Sequence, residues 1–102
     1  MPTLEEQGVR AIGIAWMREE DYPALIRIFE DGHMFDSWEQ WSERAEATEK
    51  KFQSDGVIVL RAYLDPATFP AWCAARNIAP GREARTQFGI EFAEERYGRN
   101  QS

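Results

Sequence analysis

Apolar positions along this chain recur with an offset of 47 residues. Trp16-Met17 returns as Tyr63-Leu64, Tyr22-Pro23-Ala24-Leu25 as Phe69-Pro70-Ala71-Trp72, and Gln40-Trp41 as Gln87-Phe88. Few pairs are identical, but apolar character, proline position and phase agree without a gap. Similarity at a fixed period marks a repeated supersecondary unit. The pattern therefore predicts two pseudo-repeats, residues 9–55 and 56–98, with loose termini at 1–8 and 99–102.

Within each repeat the period of the pattern changes. From Val9 to Met17 the even positions are Arg10, Ile12, Ile14 and Trp16 and the odd positions Val9, Ala11, Gly13, Ala15 and Met17, so that one face carries bulk and the other is mostly small. This two-residue period predicts a strand. A helix is expected from Glu19 to Glu30, with acidic residues in its first turn and Tyr22, Leu25, Ile26 and Phe29 as its buried stripe. Asp31-Gly32 stops it, and His33 to Asp36 reads as a loop. Asp36 or Ser37 then caps a second helix, with Glu39 or Gln40 completing a capping box. Its seam is Trp38, Trp41, Ala45, Thr48 and Phe52. The second repeat opens on Val57-Ile58-Val59-Leu60-Arg61-Ala62-Tyr63-Leu64, the clearest strand in the chain. Asp65-Pro66 predicts the start of a third helix, ending at Asn77. Pro80-Gly81 introduces a last helix from Arg82 to Tyr97.

The fold class read from this order is α+β: an internally duplicated β-α-α/β-α-α unit in a single domain, 1–102. Two central strands, expected to be antiparallel across a pseudo-twofold axis, are packed by four helices. A lone two-stranded ribbon is weak in water. Either the helices wrap both faces, or two chains join edges into a four-stranded sheet. The expectation is a homodimer, twofold dimers being the commonest oligomers.

Composition narrows the function classes. Hydrophobic residues make up 43% of the chain, with four tryptophans and six phenylalanines, which argues against disorder. Net charge is −6, concentrated in residues 1–55, where 13 acids face 6 bases; residues 56–102 hold 5 acids and 6 bases. Binding a polyanion needs clustered Lys and Arg, so no nucleic-acid partner is expected. No apolar run is long enough to cross a bilayer. Met1 to Glu6 lack the features of a secretory signal. A cytoplasmic location is the expectation, and the single Cys73 fits a reducing compartment.

Candidate chemistry is sparse. Cys73 falls on a predicted buried face beside Trp72, at the position of Ile26 in the first repeat, and reads as core; Arg76 one turn later is the one group that could stabilise a thiolate. His33 lies between Asp31 and Asp36, but the spacing matches no metal motif. Glu19, Glu20, Asp21 and Asp65 are explained by helix starts. No phosphate loop, dinucleotide fingerprint or hydrolase motif is present. No catalytic residue, metal ligand or cofactor is therefore assigned. The one patch singled out is Trp16, Arg61 and Tyr63, which reads first as an ordinary core pair with Arg61 extending to solvent, and otherwise as a subunit seam or a surface for a planar ligand. Arg82 and Arg85 at the start of the last helix, and Glu91, Glu94 and Glu95 at its end, oppose the helix dipole; contacts from the acidic first half to Arg76, Arg82 and Arg85 would compensate.

The phrases Asp21-Tyr22-Pro23-Ala24-Leu25 and Phe69-Pro70-Ala71-Trp72-Cys73-Ala74-Ala75-Arg76 resemble segments of short uncharacterised bacterial proteins. The resemblance covers most of the chain and implies no activity and no site residue. Three functional readings follow from the residues. The first is a small non-catalytic interaction or regulatory module that self-associates, with room for a protein partner. The second is a small-ligand binder or minor enzyme using a cleft between the halves. The third is an acidic decoy of a nucleic-acid-binding protein, presenting Glu39, Glu43, Glu46 and Glu49.

Overall fold

The computed structural model describes residues 10–31 and 35–97. The predicted loose termini, Val9 at the start of the first strand, Gly32 of the stop signal, and His33 lie outside the described residues. The fold is α+β. Strand β1 (Arg10–Trp16) leads through a 3-10 turn (Glu19–Asp21) into α1 (Tyr22–Ile28); α2 is Trp38–Ser54, β2 is Val57–Tyr63, α3 is Phe69–Ala75 and α4 is Arg82–Tyr97.

The two strands pair in parallel, which corrects the antiparallel expectation. The reason lies in helix lengths. Helix α1 has seven residues, about 10 Å, and only caps the end of the sheet. Helix α2 has 17, about 25 Å, enough to travel the full length of a seven-residue strand. One reversal between the strands returns the chain to the end where β1 began, so β2 runs the same way. The register pairs Arg10 with Val57 and continues to Trp16 with Tyr63, each residue meeting the one 47 positions later. Helices α1 and α3 share that offset; α4 begins three residues before the position that α2 would project.

Leu64 donates its N–H to the Trp16 carbonyl at 2.9 Å. A parallel ladder uses alternate residues of each strand. This phase turns the backbone groups of Leu60 and Ala62 toward β1, and those of Val59 and Arg61 away from it. On β1 it turns the Gly13 carbonyl outward. There α4 meets the strand: a Cβ on Gly13 would collide with the Gly89 backbone carbonyl, and a Cβ on Gly89 with that of Gly13. Two glycines let α4 lie backbone against backbone on β1.

The core sits at the Trp16 end of the strands. Leu25, Leu64, Phe69, Cys73 and Ala84 are almost fully buried, joined by Met17, Tyr22 and Phe29. Burying each large side chain contributes roughly 1.5–3 kcal/mol. Phe69 is its aromatic hub, edge-on to Phe29 at 6.2 Å and Phe88 at 5.9 Å, and stacked on Trp72 at 5.8 Å. By contrast, every residue from Ala11 to Ala15 and from Val57 to Arg61 is only half-buried.

Local starts and stops are partly as predicted. Ser37 caps α2 by accepting the Gln40 N–H at 3.2 Å, and the Gln40 side chain accepts the Asp36 N–H at 3.2 Å. Helix α1 stops at Ile28 rather than Glu30; Phe29 is extended, and the Glu30 N–H donates to the Pro80 carbonyl at 2.8 Å. Helix α3 starts at Phe69, not at Pro66. A helix opened at Pro66 would put the Pro70 ring against the carbonyl four residues back. Asp65 instead holds a turn, its side chain accepting the Ala67 N–H at 2.9 Å. Asn77 ends α3 in the left-handed region, φ 58°, while the Ile78 N–H reaches back to the Cys73 carbonyl at 3.1 Å.

Candidate functional site

Trp16, Arg61 and Tyr63 meet on one face of the sheet. Trp16 and Tyr63 are register partners, and Arg61 pairs with Ile14 one step earlier on the same face. The Arg61 guanidinium lies 4.0 Å from the centre of the Trp16 ring and forms a bidentate pair with Glu49 of α2, at 2.8 and 2.9 Å. Trp41 of α2 packs edge-on against Trp16 at 5.2 Å. Trp16 is 3% exposed, so it is roofed by α2 and cannot stack a ligand. Tyr63 is 39% exposed, with Arg18 at 4.3 Å over its ring. The patch therefore divides into a buried half and an accessible half at the end of β2. Pairing with Arg61 holds the Glu49 carboxyl below its ordinary range and raises the guanidinium pKa.

A second feature lies beside β1. An apolar trough of about 570 Å³ runs between α2 and α4, with Gly13, Ile14 and Ala15 as its floor. Trp41, Thr48 and Phe52 form the α2 wall; Arg82, Thr86 and Ile90 form the α4 wall; Tyr22, Ile26 and Phe29 close one end. It holds contributions from both halves of the chain. The predicted seam of α2 is thus only partly core: Ala45 is buried, while Thr48 and Phe52 look into the trough. Arg85 at its rim is spoken for. It forms a bidentate pair with Asp31 at 2.8 and 3.0 Å and covers Phe29 at 4.5 Å, and it holds the Asp31 carboxyl below the usual range. Arg82 beside it adds to the lowering of the Asp31 carboxyl through its charge.

Of the remaining candidates Cys73 and Arg76 are described, and His33 lies outside the described residues. Cys73 is buried in the core, and burial pushes its thiol pKa up despite nearby Arg76. Arg76 is engaged by Glu91, at 2.7 to 3.2 Å, and lies over Trp72 at 4.0 Å. The acidic first half thus meets Arg85 through Asp31, whereas the partner of Arg76 comes from α4. Among the described residues no group of three His, Cys, Asp or Glu could hold a metal ion, and no helix is long and apolar enough to cross a membrane.

Sequence reasoning missed the partners Trp41, which packs on Trp16 from 25 residues away, and Glu49, which holds Arg61 from 12 residues away. It also missed the Gly13–Gly89 contact. A signal for the latter existed: a glycine inside a long helix costs about 1 kcal/mol relative to alanine, and so asks for a packing reason. Compared with models of protein families, with curated proteins and with solved structures, the chain matches none.

Proposed function

We propose that this chain is a small non-catalytic interaction module, built by duplication of a β-α-α unit, that associates with a second copy of itself. One observation carries the reading: among the described residues the sheet has two strands, and their central residues are half covered. A sheet of this size is marginal alone, and doubling it across a twofold axis is the cheapest completion. The duplication is supported by the register, in which residues 47 apart stand side by side. A buried, unreactive Cys73 suits the reducing cytoplasm. Light scattering on size-exclusion fractions, from micromolar to millimolar chain, tests the reading. A mass that rises from one chain to two supports it; one chain at every concentration overturns it.

The trough favours a second reading. Its volume falls in the range of small-molecule sites, its lining is apolar, and Arg82 sits at its rim, where its charge also reaches Asp31. That chemistry fits an amphipathic carboxylate, and titration calorimetry with a medium-chain fatty acid tests it: no heat beyond dilution overturns it. The decoy reading has less support, because Glu49, one of its four carboxylates, is bound to Arg61.

A further inference from the structure

We infer that the outer edge of β2 is the self-association surface, where the β2 strands of two copies pair antiparallel into a sheet of order β1-β2-β2-β1. This rests on the self-association reading and specifies its surface. The two edges of the sheet are treated differently by the fold. An exposed strand edge presents unpaired N–H and C=O groups and is normally covered, charged or broken. The β1 edge is crowded by α4 at Gly13, at the floor of the trough between α2 and α4. The β2 edge is not: no backbone or side-chain hydrogen bond among the described residues reaches the outward groups of Val59 or Arg61. Its sequence offers no other protection. Six of the seven residues from Val57 to Tyr63 are apolar or aromatic, and the one charge, Arg61, is drawn back over Trp16 and neutralised by Glu49.

A second copy of β2 fits this edge on its own chemistry. Antiparallel pairing centred on Leu60 uses all seven residues and sets Val57 against Tyr63 and Val59 against Arg61. These are the residues whose backbone groups point outward, so they form the hydrogen-bonded pairs. The aromatic–β-branched pair is favourable, and no like charges face each other. Centring on Arg61 instead would oppose two guanidinium groups. The exposed Tyr63 then covers Val57 of the other copy. Because each chain carries a net charge of −6, association strengthens as salt is added.

Sedimentation equilibrium on the full chain tests this. Val59→Pro removes an outward donor and fills its space, a change that an edge strand tolerates when that N–H is unused. It is expected to weaken dimerisation at least about tenfold through lost hydrogen bonds on both copies. Tyr63→Lys, at an exposed position, is expected to weaken it by about fivefold or more, and it carries the test if circular dichroism shows that Val59→Pro does not fold. Ile90→Glu, 46% exposed in the trough, is expected to leave the dimer unchanged. A wild-type dimer that survives Tyr63→Lys and a folded Val59→Pro, or that is lost in Ile90→Glu, overturns the surface while sparing self-association. A wild-type chain that is monomeric at every concentration overturns both.

Discussion

The two edges of the sheet are built from strands of equal length in matched register, yet one is recessed between two helices and the other open. At β1 a glycine in the strand meets a glycine in the helix, and α4 lies against the outward carbonyl. At β2 the corresponding stretch is Val59-Leu60-Arg61, with bulky side chains. Its helix, α2, reaches the sheet from above a face, through Trp41 and Glu49, and leaves the edge alone. The lesson is that residue size at two positions decides which edge a helix can seal. The register sets the strands side by side as equals; the glycines make them differ.

The largest effect should come from unsealing β1. Alanine is the better helix former by about 1 kcal/mol, so Gly89→Ala would stabilise α4 if the helix stood alone. Here the new methyl meets backbone that cannot rotate away, a cost of about 3 kcal/mol. Urea melts should show a net loss of about 2 kcal/mol. A stabilised Gly89→Ala would contradict a backbone-to-backbone contact between Gly13 and Gly89.

Next comes the tie between β2 and α2. Glu49→Gln leaves the Arg61 guanidinium over Trp16 without its bidentate partner, and should cost about 1–2 kcal/mol in the same melts. The pH profile reports the same pair. Glu49 and Asp31 both have carboxyl pKa values lowered by arginine hydrogen bonds. Their contribution is present above the ordinary carboxylate range, about pH 4, and is lost as pH falls below it through the folded-state values. Acid unfolding should therefore begin below about pH 4, and Glu49→Gln should flatten that limb. An unchanged limb would remove the pair from the account.

Gly56 separates two uses of glycine. It lies between α2 and β2 at φ 83° with open space around it, so Gly56→Ala should cost about 1 kcal/mol from backbone conformation alone. The smallest effect is expected in the trough. Ile90→Ser removes a half-exposed side chain that touches open space, and stability should stay within about 0.5 kcal/mol of wild type.

Much of the architecture is legible in the sequence because it is written in local periodicity. The boundaries of β2 and α4 and the Ser37 cap follow from two- and four-residue spacing. Strand direction does not. It depends on which intervening helix is long enough to reverse the chain, and the break of α1 at Ile28 is imposed by a long-range bond from Glu30 to Pro80. Two prolines competed to start α3, and Asp65-Pro66 went to a turn. The patch of Trp16, Arg61 and Tyr63 was legible as a cluster, because strand alternation puts them on one face. That α2 would bury Trp16 and leave Tyr63 outside was not, since it depends on where Trp41 and Glu49 arrive.

Amide hydrogen exchange along β2, followed by NMR over a range of chain concentrations, addresses the open edge residue by residue. At low concentration the Leu60 and Ala62 amides, bonded to β1, should be protected while those of Val59 and Arg61 exchange freely; at high concentration Val59 and Arg61 should become protected as well. Protection of Val59 and Arg61 in the dilute monomer, or free exchange at both in a concentrated dimer, would contradict an edge left open for a second copy.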